Sequence, residues 1–162
     1  MKTVYLALGS NLGDREARLR EAVARLEAAE VRILRRSPVY ETEPQDLPGQ
    51  VWFLNAVLET ETALFPMQLL ARTQNIEREM GRRRGKIGGP RSIDVDILLY
   101  GNFVIRTPQL EIPHPRMTAR RFVLAPLAAL APELRHPVTG RTVREMLADI
   151  QGQRVLPTKL IL

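Results

Sequence analysis

The segment SIDVDILLY, residues 92–100, constrains the fold of this chain more than any other part of it. Its apolar residues predict a buried β-strand, in which successive side chains point to opposite faces of the sheet. Asp94 and Asp96 therefore share one face, and they lie roughly 6.6 Å apart along it. The apolar residues that alternate with them face the other way, into a core.

Two carboxylates at this spacing repel each other, and the fold has to compensate for that repulsion. A hard divalent cation does so, because Mg²⁺ is usually held by one or two carboxylates together with substrate phosphates. The alternative is an edge strand with a hydrated polar face, where both aspartates are in contact with water. The strand by itself leaves these two interpretations open.

The patterns that precede and include this strand predict the element order β-α-β-β-α-β. Period-two alternation indicates the strands, and apolar stripes at i, i+3, i+4 and i+7 indicate the helices. This order favours a ferredoxin-like α+β fold, a single domain over residues 1–162, with helices on one face and the other face free to build a site. The predicted strands are residues 3–10, 31–42, 51–62 and 93–100, and the predicted helices are residues 14–29 and 65–81.

The remainder of the chain predicts additional C-terminal helices. Residues 102–116 indicate a hairpin or an extended segment, and residues 118–134 a helix that is interrupted near Pro126. A short helix is expected at residues 142–150, followed by an irregular tail. Earlier in the chain, we expect Pro38 to bend the second strand.

Composition excludes several classes of protein. The 162 residues include no cysteine, so disulfides and thiolate metal sites are excluded. No apolar run approaches the roughly 20 residues of a membrane span, and we expect a cytoplasmic enzyme. The formal net charge is +6, and only three of the 24 basic residues are lysines. An arginine excess is compatible with either nucleic acid or a small polyphosphate as the ligand.

A basic loop, RRRGKIGGPR at residues 82–91, comes directly before the aspartates. Its glycines predict a loop that can move, and its guanidinium groups can bind phosphate oxygens in pairs. On the preceding helix, Gln74 and Glu77 share a face at i, i+3 spacing. Each feature alone is also typical of a hydrated surface, but beside paired carboxylates they favour a site for a triphosphate and a metal.

Aromatic and amide side chains indicate a place for a flat heterocycle. Phe53 and Asn55 share a strand face, and Phe122 follows later in RRFVLAPL. Two rings and an amide can enclose and read such a ligand, although two phenylalanines are also compatible with ordinary core packing. His114, between two prolines in IPHPRM, is either a ligand-binding residue or a structural one.

Five motifs occur in a fixed order, namely LALGSNLGD, FLNAV, TQNIEREMGR, GPRSIDVDILLYG and IPHPRMTARRFVLAPL. Through them the chain closely resembles the 6-hydroxymethyl-7,8-dihydropterin pyrophosphokinase family of the folate pathway, over residues 3 to about 150. The resemblance implies a ferredoxin-like enzyme that transfers pyrophosphate from ATP to the pterin hydroxymethyl group with two Mg²⁺ ions. It also implies a monomer with small-molecule substrates and neither nucleic acid nor membrane as a partner.

The resemblance also implies roles for individual residues. Asp94 and Asp96 would hold Mg²⁺, and Arg82 and Arg91 would act in catalysis on charge in the transition state. The residues that would form the pterin pocket are Phe53 and Phe122 on the ring faces, Asn55 on the ring edge, and Thr42, Glu43 and Gln45 around it. The residues that would line the ATP site are Gln74, Glu77, Arg84, Ile97, His114 and Arg120.

Two other functions compete with this interpretation. RNA-recognition domains share the element order and the basic charge, but they need a run of aromatic residues on a central strand, which this sequence lacks. Without a metal, paired aspartates would also repel a phosphate backbone. Other Mg²⁺-dependent nucleotidyltransferases combine Gly-Ser with Asp-x-Asp, but here Gly9 and Ser10 are far from Asp94 in the sequence.

Overall fold

The computed structural model describes residues 1–45, 49–81 and 92–162. No helix in these ranges is both long enough and apolar enough to cross a membrane. The strands are β1 (Lys2–Ser10), β2 (Arg32–Arg36), β3 (Tyr40–Thr42), β4 (Phe53–Thr62), β5 (Asp94–Tyr100), β6 (Ile105–Arg106), β7 (Glu111–Ile112) and β8 (Val155–Pro157). The helices are α1 (Arg15–Ala28), α2 (Pro66–Glu79), α3 (Arg121–Leu130) and α4 (Val143–Ala148), and Met117–Ala119 forms a 3₁₀ turn.

The main sheet is antiparallel, with β1 between β4 and β5. The other side of β4 pairs with β2 and β3 in tandem, and β8 extends the sheet beyond β3. The small strands β6 and β7 form a separate hairpin, as predicted for this segment. With β2 and β3 counted as one interrupted strand, the first elements have the ferredoxin-like β-α-β-β-α-β order. The α+β class predicted from the sequence is confirmed.

Helices α1 and α2 pack on one face of the sheet, where alternate strand residues such as Leu6, Leu8 and Val95 are buried with them. The start of α1 is fixed by Asp14, whose carboxylate accepts a hydrogen bond from the Ala17 amide at 3.1 Å. The helices contribute the predicted stripes, which are Leu19, Ala22, Val23 and Leu26 from α1 and Leu69, Thr73 and Ile76 from α2.

The opposite face is covered in part by α3 and α4, whereas the sequence led us to expect it to be free. Tyr5, Val57 and Leu98 point to this side and are buried with apolar residues of both helices. Further along the same strands, small and polar side chains replace the large apolar ones. A site on this face is therefore confined to the end of the sheet that holds Gly9.

The strand predicted at residues 31–42 is two strands, and the break comes at Ser37 and Pro38. Proline has no N–H to donate to β4, so the ladder cannot continue through Pro38. The Ser37 side chain takes part instead, because its hydroxyl accepts a hydrogen bond from the Val57 amide at 2.8 Å. The register with β4 shifts by one residue between Arg36 and Tyr40, in addition to the shift inside β2 between Ile33 and Arg35.

The helix predicted at residues 118–134 is present, but the expected interruption near Pro126 was wrong. Helix α3 runs through Pro126 without a break, and it begins and ends inside the predicted range. An internal proline costs about 3 kcal/mol, whereas each large apolar side chain that is buried contributes about 1.5–3 kcal/mol. Val123, Leu124 and Leu127 are buried beneath this helix, so packing outweighs the lost hydrogen bond.

Residues that were expected to form an irregular tail include strand β8, which pairs with β3 through Val155 opposite Thr42 and Leu156 opposite Glu41. This strand is short and has no apolar alternation of its own. Its conformation is determined by a partner more than 100 positions away in the chain, which the local pattern does not encode.

The central strand should dominate stability. Leu6 is fully buried, whereas Leu12 is 49% exposed. We expect Leu6→Ala to lower the free energy of unfolding by about 2–5 kcal/mol, because it removes buried apolar contacts and leaves a cavity. The control Leu12→Ala should change it by about 0.5 kcal/mol or less. Urea denaturation measures both, and similar losses would contradict this assignment of the core.

Candidate active site

Gly9 lies at the centre of the candidate site, near the end of the middle strand β1. Its neighbour across the sheet is Asn55 on β4 on one side and Asp94 on β5 on the other. Two residues earlier, Ala7 lies opposite Asp96. These residues share one face of the sheet, and the two small ones leave a hollow between the larger side chains of the flanking strands.

A cavity of about 440 Å³ opens over this hollow, and we call it the first cavity. It includes both aspartates and also Arg120 and His114, which were expected at the ATP site. The residues predicted to bind the pterin all line it, and they are Thr42, Glu43, Gln45, Phe53, Asn55 and Phe122. Structure therefore brings together residues that come from four separate segments of the chain.

Gly9 is needed because Asn55 occupies the space where a side chain would be. A Cβ atom at Gly9 would lie 2.6 Å from Asn55 Oδ1 and 3.7 Å from a ring carbon of Phe53. The Asn55 amide nitrogen donates a hydrogen bond to the Thr42 hydroxyl at 2.5 Å. This contact and the close approach to Gly9 fix the orientation of the amide at the floor of the first cavity.

The second cavity, of about 330 Å³, lies between α2 and the β6–β7 hairpin. The predicted ATP-site residues Gln74, Glu77 and Ile97 line it. Asp96 and His114 line both cavities, so the two spaces meet at these side chains.

Glu77 connects α2 to the strand that carries the aspartates. Only 9% of this residue is exposed, and its carboxylate accepts a hydrogen bond from the Val95 amide at 2.9 Å. Val95 lies between Asp94 and Asp96, so this bond fixes the backbone on which both carboxylates stand. Glu77 therefore has a structural contact in addition to its place in the second cavity.

His114 is neutral at the junction of the cavities. Burial, together with the guanidinium groups of Arg120 and Arg116, lowers the pKa of His114 to about 4, against a weaker opposing effect of Glu111. Its Nδ1 accepts a hydrogen bond from the Arg116 amide at 3.2 Å. The proton of the neutral ring is therefore on Nε2, which makes His114 an uncharged hydrogen-bond donor.

The two aspartates fit a Mg²⁺ ion that also binds phosphate. Both are partly buried and line the first cavity, and Asp96 lines the second as well. Within residues 1–45, 49–81 and 92–162, no group of three or more His, Cys, Asp or Glu side chains could hold a metal ion. Two carboxylates supply hard oxygen donors but leave most of an octahedral shell to water and substrate, as is usual for Mg²⁺.

Some functional residues lie beyond what sequence reasoning found, and others lie outside the described residues. Arg82, Arg84 and Arg91 are in the second group, so their predicted roles stay predictions. Gly9 lies within β1, inside the strand predicted at residues 3–10, but the sequence did not indicate its place in the site. The structure also adds Gln153 to the first cavity. The tail that holds Gln153 carries no local signal.

Comparison with known proteins assigns the chain to a family. The model of the 7,8-dihydro-6-hydroxymethylpterin-pyrophosphokinase family matches residues 5–132. The chain belongs to this family. A Bacillus subtilis protein named 2-amino-4-hydroxy-6-hydroxymethyldihydropteridine pyrophosphokinase is 46% identical to it over 156 residues, which are 96% of this chain and 90% of the relative. An Aquifex aeolicus protein of the same name is 42% identical over 145 residues, 90% of each chain.

Solved structures agree with this family in fold. The Plasmodium falciparum HPPK-DHPS wild type with pteroate superposes with a TM-score of 0.73 at 19% sequence identity. The match covers 91% of this pyrophosphokinase-family chain and 42% of the Plasmodium chain. At this level of identity, the likeness establishes the fold alone.

The close contact at Gly9 can be tested by adding one carbon. We expect Gly9→Ala to push Asn55 from its position. If Asn55 binds the ring edge as predicted, kcat/KM for the pterin should fall about 10- to 100-fold. If Gly9 acts through Asn55, the double variant with Asn55→Ala should be no worse than Asn55→Ala alone. Fully additive losses in steady-state assays would contradict this link.

The loss of protein stability at acidic pH should show whether the pKa of His114 is lowered. Between pH 6.5 and about 4, the unfolded chain binds a proton at His114 that the folded chain does not. The stability that neutral His114 contributes is therefore complete above pH 6.5 and is lost as the pH falls toward 4. We expect the wild type to lose about 1–3 kcal/mol more stability than His114→Gln on going from pH 7 to pH 4.5. Urea denaturation of both proteins at the two pH values measures this, and parallel losses would contradict a lowered pKa.

Proposed function

We propose that the two cavities hold the two substrates of one pyrophosphoryl transfer. The reaction passes pyrophosphate from ATP to the hydroxymethyl group of 6-hydroxymethyl-7,8-dihydropterin, a step of folate biosynthesis that leaves AMP and the pterin pyrophosphate. The observation that supports this division is that Asp96 and His114 line both cavities. A polyphosphate from one side and a hydroxyl from the other then meet at the same two side chains.

The pterin occupies the first cavity. Phe53 and Phe122 lie against the faces of its ring system, and Asn55 binds the ring edge with the part of its amide that Thr42 does not engage. Glu43 and Gln45 close the cavity on the side of the loop. A flat ring held this way presents its hydroxymethyl group toward the aspartates, because they line the same cavity.

ATP enters through the second cavity, where Gln74, Glu77 and Ile97 line the space for the nucleotide. Its polyphosphate extends toward Asp96 and His114. Arg120 lines the first cavity and lies 5.3 Å from the ring centre of Phe122, so we assign it to the transferred pyrophosphate and the pterin rather than to the nucleoside. Arg82, Arg84 and Arg91 are the further cations that we propose for the phosphates, with Arg82 and Arg91 acting on the transition state.

Asp94 and Asp96 are the residues that would hold Mg²⁺, and we propose two ions. Bound there, Mg²⁺ would neutralise polyphosphate charge and favour attack at phosphorus. The chain itself orients the reactants, because the β-sheet register fixes the carboxylates relative to Asn55. Neutral His114 donates a hydrogen bond from Nε2 to a phosphate oxygen, which stabilises charge without the need for proton transfer.

The covalent step is a single displacement. The hydroxymethyl oxygen attacks the β-phosphorus of ATP, the bond from that phosphorus to the oxygen bridging to the α-phosphorus breaks, and AMP leaves. The hydroxyl proton is released to solvent. We further propose that the enzyme works as a monomer in the cytoplasm.

Product analysis tests the reaction directly. Incubation with ATP, Mg²⁺ and hydroxymethyldihydropterin should give AMP and the pterin pyrophosphate in a 1:1 ratio, separated by ion-exchange chromatography. ADP together with a pterin monophosphate would contradict the proposed transfer.

The carboxylates should be required for turnover but not for folding. We expect Asp96→Asn to lower kcat at least about 100-fold, since an uncharged amide binds Mg²⁺ poorly and Asp96 lies at the junction of both cavities. Asp149→Asn is the matched control, because Asp149 is exposed at the end of α4 and pairs with Arg141 at 2.6 Å. The control should keep wild-type activity, and both variants should keep the wild-type circular dichroism spectrum.

The Mg²⁺ dependence of the two variants makes this test decisive. Near-normal turnover of Asp96→Asn at saturating Mg²⁺ would show that Asp96 is not a Mg²⁺ ligand.

A further inference from the structure

Gln153 joins two walls of the first cavity. It is buried, with 7% of its surface exposed, and it lines the cavity. Its side-chain nitrogen donates a hydrogen bond to the Glu43 carbonyl at 2.6 Å, and its side-chain oxygen accepts one from the Phe122 amide at 3.1 Å. One amide group therefore connects the segment after β3 with the first turn of α3.

The contact with Phe122 satisfies a requirement of the helix. The first N–H groups of a helix have no partner within it, and a side chain at the N-cap position usually accepts one of these hydrogen bonds. Here the N-cap residue is Arg120, which makes no such bond and has no acceptor to offer. Gln153 supplies the acceptor from a distant part of the chain and so fixes the start of α3, where Phe122 faces the cavity.

The contact with Glu43 is one of several that join the segment after β3 to the C-terminal segment. The Glu43 N–H donates to the Arg154 carbonyl at 3.0 Å, so both backbone groups of Glu43 are bound to the C-terminal segment. The adjacent pair is Thr42 and Val155, at the end of the β3–β8 ladder. Thr42 and Glu43, which form this wall of the cavity together with Gln45, are therefore held in place by residues 153–155.

We propose that Gln153 is a positioning residue for the pterin pocket. It sets the separation between Phe122 and the Glu43 wall, and it acts through these two residues rather than on the reacting atoms. This inference rests on the proposed binding of the pterin in the first cavity. Gln153 also lies outside residues 5–132, the part of the chain that the family model matches.

The test compares two glutamines of the same segment. Gln153→Met keeps the length of the side chain but removes both hydrogen bonds, and we expect the KM for the pterin to rise about tenfold. The KM for ATP should stay within about twofold of the wild type, because Gln153 lines the first cavity and does not line the second. Gln151 is exposed, so Gln151→Met should leave both constants unchanged.

A shorter amide provides a milder variant in case Gln153→Met folds poorly. Gln153→Asn keeps the polar group but is one methylene too short to reach both partners, so its KM for the pterin should lie between those of the wild type and Gln153→Met. Equal increases in the KM for ATP and for the pterin, together with a lower thermal midpoint, would mean that Gln153 is only structural and would overturn the proposal.

Asn55→Ala, measured in the same assay, separates this inference from the proposed function. If Asn55→Ala raises the KM for the pterin and Gln153→Met does not, the positioning role is wrong. If neither variant changes it, the pterin does not bind in the first cavity, and both proposals are overturned.

Discussion

Pairing of β1 with its two neighbours at Gly9 is the constraint on which the site depends. Because the strands are antiparallel and in register, Asn55 lies on one side of this glycine and Asp94 on the other. Neither side chain could approach the other so closely across a larger residue, since the space above Gly9 is taken by Asn55. The amide proposed to recognise the heterocycle and the carboxylates proposed to bind metal are thus placed by the pairing of neighbouring strands in the main sheet.

Alternation of side chains along the strands places the core residues on one face of the sheet and the site residues on the other. Along β5, Val95 and Ile97 enter the core under α1 and α2, while Asp94 and Asp96 line the first cavity. The carboxylates therefore need no space in the core, and the core side chains hold the strand that carries them. Glu77 adds a link from α2, because its bond to the Val95 amide ties the helix to this strand between the two aspartates.

The sequence could predict those parts of the arrangement that depend on residues close to one another in the chain. Period-two alternation placed Asp94 and Asp96 on one face, and the helical stripes identified the buried faces of α1 and α2. The residue pattern also singled out Phe53, Asn55, Phe122, Gln74 and Glu77, whereas the resemblance alone suggested their roles. Thr42, Glu43, Gln45 and Ile97 came from the resemblance only. The structure adds that Arg120 lies against Phe122 in the first cavity, and its role at the ATP stays a prediction.

What could not be predicted depends on partners that are distant in the sequence. Gln153 lies in a tail without periodicity, and its burial follows from contacts with Phe122 and Glu43 that no local pattern encodes. The unbroken course of α3 through Pro126 likewise reflects packing against the sheet, which outweighs the local preference of proline. In both cases tertiary contacts decide the conformation of a segment whose own sequence is ambiguous or unfavourable.

A crystal structure with Mn²⁺, 6-hydroxymethylpterin and an α,β-methylene analogue of ATP tests the central claim most directly. Anomalous scattering from Mn²⁺ locates the metal independently of the ligands. The account predicts metal density at Asp94 and Asp96, the pterin beside Asn55 in the first cavity, and the polyphosphate passing Asp96 and His114 from the second. Metal density away from both aspartates, or a pterin outside the hollow at Gly9, would contradict it.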